Sequence, residues 1–222
     1  MKLGTKNWNF DINLGWDSTQ EEMYDRCAKY TITEFLDGKN GTIFAYGQSG
    51  SGKTFSMLGP DTVTAALVKD FKAVSQDVKK LFGIIPRAVE QIYEAKSQFE
   101  MQGDTCIIKA SYIEVYNESI RCLLTKKEDL KICSVNDGFV VPGKDTRICN
   151  TPEQIFEVIA LATQNREVSG TGLNARSSRS HTILVIDVQH KDLAGVEKNS
   201  TLNLVDLAGS EKVSLIHLLK NN

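Results

Sequence analysis

The sequence predicts an α/β fold, with a central, mostly β-sheet layer and helices on both faces. Three observations predict it. Apolar runs of strand length, near 42–46, 107–116, 182–188 and 201–206, alternate with segments of helical periodicity. The first run passes without a break into a glycine-rich loop, Gly47-Gln48-Ser49-Gly50-Ser51-Gly52-Lys53-Thr54. The 222 residues are 41% hydrophobic and 24% charged, the balance of a folded globular domain rather than a disordered or fibrous chain.

Each element has its own local signal. Residues 20–36 read as one amphipathic helix, with Met23, Cys27, Tyr30, Phe35 and Leu36 near one stripe. Asp37-Gly38-Lys39-Asn40-Gly41 is a turn signal. The strand at 42–46 follows, then the loop, then a helix opening at Lys53 and running to Leu58. Residues 59–82, from Gly59-Pro60-Asp61 to the Lys79-Lys80 pair, read as a variable insertion with partial helical character. A helix follows Pro86, using Ala88, Val89, Ile92 and Tyr93. Ile107 to Tyr116 is rich in β-formers and predicts a long strand. Thr151-Pro152-Glu153 opens a helix that runs to about Arg166, with a capping hydroxyl, proline at the first helical position and an early acid.

Composition also excludes. A formal net charge of -2 gives no global electrostatic case for nucleic acid or an anionic membrane. The five cysteines are odd in number and lack Cys-x-x-Cys spacing, which argues against a disulfide framework and a structural zinc site. His181, His190 and His217 make no metal-like cluster. No stretch approaches the roughly 20 apolar residues of a membrane helix, and the N-terminus has no signal-peptide pattern. A soluble, intracellular protein is expected.

The loop carries the chemistry. Gly47 to Thr54 matches G-x-x-x-x-G-K-[ST] at every required position. Its glycines let backbone N–H groups turn inward around an anion without Cβ clashes. The helix opening behind Gly52 adds unsatisfied N–H groups and a positive dipole end. Lys53 can reach β- and γ-phosphates, and the Thr54 hydroxyl can ligate Mg²⁺. The strand–loop–helix context makes this a P-loop NTPase-type site rather than an incidental Gly/Ser loop.

Two further elements suit a nucleotide switch. Leu202-Asn203-Leu204-Val205-Asp206 is an apolar strand ending in an acid, with Gly209 three residues on. Alone, Asp206 reads equally as a strand-end turn residue. Beside a phosphate loop it can hold a magnesium-bound water, and the Gly209 N–H can bond a γ-phosphate. Asn174-Ala175-Arg176-Ser177-Ser178-Arg179-Ser180-His181 masses hydroxyls and guanidinium groups ahead of a strand. Alone it reads as a phosphorylation site or a solvated loop; with the other two it is a candidate switch loop.

Together these strings resemble the kinesin motor domain. The matching stretches are 40–46 running into the phosphate loop, Gly83-Ile84-Ile85-Pro86-Arg87, Ser111 to Glu118, Asn174 to His181, and Asp206-Leu207-Ala208-Gly209-Ser210-Glu211. They stand in the family's order over about 10–214 of a single domain, with 215–222 divergent. The resemblance implies bound ATP and Mg²⁺, with Gly47 to Thr54 cradling the nucleotide and Phe55 against the adenine. It implies that Ser177 and Ser178 contact Mg²⁺, the γ-phosphate and the lytic water. Arg179 and Glu211 would form a salt bridge that closes the site and relays a proton. Metal would be held by Thr54, by Ser177 and, through water, by Asp206. Microtubules are the implied partner and the cytoplasmic cytoskeleton the implied location, with no nucleic-acid or membrane partner and no oligomeric state implied.

The chain departs from the family pattern at both ends. It lacks an Arg-x-Arg-Pro string for the adenine, and the pattern fades after Ser214. In the family sheet the first and last strands lie beside the phosphate-loop strand. An incomplete motor fold with an unpaired edge at 42–46 is therefore expected, and with it a marginally stable chain that is not motile by itself. Three functions stand: a microtubule-motor ATPase domain, a non-motile remnant that binds nucleotide or protein, and an unrelated P-loop protein.

Overall fold

The computed structural model describes residues 2–3, 6–7, 9–69, 71, 73–135, 138–168 and 179–211. In chain order its elements are β1 (Lys2–Leu3), β2 (Lys6–Asn7), α1 (Gln20–Cys27), α2 (Lys29–Leu36), β3 (Gly41–Ala45) and α3 (Lys53–Leu58). There follow α4 (Asp61–Lys69), α5 (Gln76–Lys79), α6 (Ile84–Met101), β4 (Thr105–Tyr116), β5 (Ser119–Cys122), β6 (Cys133–Val135), β7 (Gly138–Val140) and β8 (Arg147–Ile148). The chain closes with α7 (Pro152–Val168), β9 (His181–Lys191) and β10 (Glu197–Asp206).

The central sheet is mixed, in the order β3-β10-β9-β4-β5, with β8 on β4. Its long strands β4, β9 and β10 pair antiparallel. β9 returns into β10 through a turn closed by Asp192 N–H to the Val196 carbonyl, with Gly195 at φ +86°. Among the described residues only β3 and β10 are parallel. Among the described residues β3 ends the sheet, so the edge expected at this strand is present on one side and β10 covers the other.

One continuous core unites sheet and helices. Tyr24, Ala28, Ile32 and Phe35 turn one stripe inward from α1 and α2, at helical spacing. α6 contributes Ile85, Ala88, Val89 and Ile92; α7 contributes Ile155, Phe156, Ile159 and Ala162. These helices form a connected layer against Leu202, Leu204, Leu184 and Ile186 of the sheet. Thr42, Phe44 and Tyr46, on the other face of the edge strand and its exit, are exposed. The second helical layer expected from the sequence does not cover this strand among the described residues.

Three local readings change. The helix expected over 20–36 is two helices meeting at Ala28, whose φ of -123° departs from helical geometry. The helix expected after Pro86 starts earlier, at Ile84; proline at its third position sacrifices no intrahelical bond, since the first N–H groups of a helix have no partner. Residues 59–82 are partly helical, as expected, in α4 and α5, and they also reach into the core. Val63, Leu67 and Phe82 are fully buried, and Phe71 stacks on Phe156 at 5.6 Å between centroids. The start of α7 follows its sequence signal, with Gln154 Oε1 accepting from the Asn150 and Thr151 N–H groups at 2.6 and 3.4 Å.

All five cysteines are free thiols, and Cys106, Cys122 and Cys149 are buried. Among the described residues no helix is long and apolar enough to cross a membrane.

Candidate functional site

The parallel pairing of β3 with β10 builds the site. Asp206 lies opposite Ala45 in register, so both strands release their loops at the same end of the sheet. Ligand sites of α/β sheets collect at such carboxyl ends. The loop after β3 is held to the loop after β10 by Leu207 N–H on the Ala45 carbonyl and Ser210 N–H on the Gly47 carbonyl, at 3.4 and 3.0 Å.

The glycines of the first loop are there for geometry. Gly50 and Gly52 take φ of +74° and +91°, the left-handed region that glycine adopts at little cost. Gly52 stands directly before α3, so the loop delivers its amides to the helix N-terminus. Lys53 curls back over the loop and donates to the carbonyls of Gly47 and Gln48 at 3.0 and 2.9 Å. That fold-back keeps the ammonium at the mouth of the loop. The Thr54 hydroxyl donates to Asp206 Oδ2 at 2.5 Å. The other oxygen, Asp206 Oδ1, is buried and lacks a hydrogen-bond partner.

The loop already holds one anion. Glu211 accepts from the Ser49 N–H at 2.9 Å, and its other oxygen accepts from the Ser49 hydroxyl. Those hydrogen bonds, the hydroxyl's first, hold the Glu211 carboxyl below its ordinary range. The sequence reading paired Glu211 with Arg179; in the structure Glu211 is on Ser49 instead. Arg179 is described and exposed. Ser177 and Ser178 lie outside the described residues, so their roles rest on resemblance.

Gly209 closes the other wall. A Cβ there would meet the Glu211 carboxylate and the Ser49 hydroxyl at 2.5 Å, which marks how closely the two loops approach. Behind it, Ala208 N–H donates to His181 Nδ1 at 3.0 Å. His181, the last residue of the candidate switch loop, thereby supports the second loop. Phe55 is half-exposed beside the phosphate loop, and its carbonyl accepts from Gln20 Nε2 at 2.8 Å.

The residues fit a magnesium nucleotide. Among the described residues no cluster of three or more His, Cys, Asp or Glu could hold a metal by itself. Mg²⁺ needs no such cluster, because it is held by one or two protein oxygens together with waters and substrate phosphates. Thr54, a carboxylate with an unused buried oxygen, and loop amides that donate to an anion supply that set.

Sequence reasoning missed two participants. Arg166, in the last turn of α7, lines a cavity of about 210 Å³ together with Lys53, Thr54, Asp206 and Gly209. Behind it lies Glu114, fully buried, which accepts from Arg121 Nη2 at 2.7 Å and has its other oxygen 3.4 Å from Arg166 Nε. The sequence signal for Glu114 is a charged residue inside an otherwise apolar strand.

Comparison with known proteins agrees with this geometry. The family model "Kinesin motor domain" matches residues 2–218. Kinesin-related protein 3 of Dictyostelium discoideum is 40% identical over 94% of the chain, and a kinesin heavy chain of Syncephalastrum racemosum is 38% identical over 93%. The chain spans 17% and 21% of those two relatives, respectively. A solved structure described as that of a fast kinesin superposes with a TM-score of 0.80 at 34% identity, covering 94% of this chain and 55% of that one. On sequence and on fold alike, this chain belongs to the kinesin motor domain family.

Proposed function

We propose that this chain binds and hydrolyses ATP with Mg²⁺, as the nucleotide half of a microtubule motor carried on a longer protein. The observation that carries the reading is the Thr54–Asp206 contact beneath Lys53, because it joins a phosphate-loop hydroxyl to a strand-end carboxylate with one oxygen in reserve. Mg²⁺, when bound, would supply charge neutralisation for the phosphates. Thr54 and Asp206 would hold it, Asp206 through water, with Ser177 completing the set by resemblance.

The rest of the work falls to positioning and electrostatics, as phosphoryl transfer requires. The loop amides of 47–54 bind the phosphate chain and Lys53 turns from the Gly47 and Gln48 carbonyls to the phosphates. The Gly209 N–H faces the terminal phosphate, while Ser178 orients the attacking water. Phe55 packs against the base. Glu211 leaves Ser49 when phosphate takes that amide, and becomes free to meet Arg179 and accept a proton relayed from the water. This exchange couples an occupied site to movement of the loop after β10.

Steady-state ATPase of the purified chain, with and without microtubules, tests the proposal. Microtubule-stimulated turnover that Lys53→Ala abolishes is the expected result. Nucleotide binding without stimulation would instead support the non-motile module, which exposed Phe44 on the edge strand and Tyr46 just past it favour as a protein-contact surface. A folded sample that binds no nucleotide overturns both nucleotide claims, the hydrolysing motor and the nucleotide-binding module.

A further inference from the structure

We infer that Arg166 is a further nucleotide-site residue, one that distinguishes a triphosphate from a diphosphate. The inference rests on the nucleotide reading above and deepens it.

Three observations converge on Arg166. It lines the cavity floored by Lys53, Thr54, Asp206 and Gly209, where the terminal phosphate of a nucleotide on the loop would lie. Its Nη2 donates to the Ser180 hydroxyl at 2.8 Å, at the downstream end of the string Asn174 to His181. Its Nε lies 3.4 Å from the buried carboxylate of Glu114.

The two guanidinium groups on Glu114 are not equivalent. Arg121 makes the shorter contact, and its side chain is 5% exposed. Arg166 makes the longer one, and its side chain is 20% exposed, toward the site. Arg121 is the structural partner of Glu114. Arg166 is held from behind by Glu114 and reaches forward, which is the geometry of a positioned cation.

Guanidinium suits the task. Its planar donors can bond a phosphate oxygen and a hydroxyl together, which a lysine ammonium on a flexible stem does less specifically. A terminal phosphate entering the cavity would share Arg166 with Ser180. The bond to Ser180, with Glu114 behind, holds the guanidinium in place for that phosphate. The competing account is purely local: a basic residue in the last turn of a helix favours the helix dipole.

Affinities for a fluorescent ADP and for a non-hydrolysable ATP analogue separate the two accounts. Arg166→Gln is expected to weaken the ATP analogue by about tenfold or more while moving ADP by less than about twofold. Arg166→Lys, which keeps the charge and the fold, is expected to restore part of that preference. A stabilising role alone would lower the melting temperature and leave the ratio of the two affinities unchanged. An unchanged ratio in both variants overturns the inference. Wild-type chain that binds both nucleotides, with Lys53→Ala binding neither, keeps the nucleotide reading standing in that case. Wild-type chain that binds neither nucleotide overturns the reading and this inference together.

Discussion

The hydroxyl of Thr54 and the carboxylate of Asp206 meet at 2.5 Å although 152 residues separate them. Thr54 opens a helix and Asp206 ends a strand, and the parallel register of β3 with β10 brings the two together. Asp206→Asn keeps the shape and the contact but removes the charge. Nucleotide binding in Mg²⁺ is expected to weaken by about 10–100-fold, with little change when the metal is chelated. Titration calorimetry with and without EDTA checks this; equal weakening in both conditions would show that Asp206 serves the nucleotide and not the metal.

Glu211 titrates below the ordinary glutamate value of 4.5 because Ser49 stabilises its charged form. A depressed carboxylate contributes its stabilisation above the unfolded value, and the contribution is lost as pH falls through the folded one. The Ser49–Glu211 contact is therefore intact at neutral pH and released only in acid below that value. The Ser49 amide resonance should report the release, and Glu211→Gln should abolish it. A midpoint above 4.5 would contradict the contact.

Leu67 tests whether residues 59–82 belong to the core. It is fully buried, and α4 packs on α7. Leu67→Ala is expected to cost about 2–5 kcal/mol in urea unfolding, as for other core truncations. A cost under about 0.5 kcal/mol, typical of surface sites, would restore the insertion reading.

Gly83 tests how α3 and α6 are joined. A Cβ there would lie 2.7 Å from the Met57 carbonyl and 2.8 Å from the Gly59 amide, both backbone groups. Gly83→Ala must push the helices apart and is expected to cost about 1–3 kcal/mol. Thermal and urea unfolding measure it, and a neutral outcome would mean that α6 can shift freely on α3.

The legible parts of the molecule were those whose signal is local. The phosphate loop declares itself because its eight residues act within one turn of chain. The long strands β4, β9 and β10 were visible because their apolar runs exceed the reach of chance. β6, β7 and β8 were not, since strands of two or three residues carry no periodicity to read. The 59–82 segment misled because Gly59-Pro60 and Lys79-Lys80 are loop-like borders; Val63 and Leu67, four apart on one helical face, were the overlooked signal. Arg166 was hidden for a different reason. A basic residue closing a helix has an ordinary local purpose, and only the packing of α7 beside β4 sets it near Lys53. The position of Glu211 on Ser49 was likewise beyond sequence, because both candidate partners offer good hydrogen-bond donors and tertiary geometry chose between them.

The five-residue parallel ladder between β3 and β10 also has a mechanical side. The chain enters this ladder at Gly41 and leaves it at Asp206, at opposite ends of the paired strands. Tension drawn between the segment before Gly41 and the segment after Asp206 therefore runs along the strands and loads their hydrogen bonds together, in shear. An antiparallel hairpin pulled from its two free ends would open bond by bond like a zipper. The pairing that brings Asp206 to the phosphate loop thus gives that junction resistance to load along its axis.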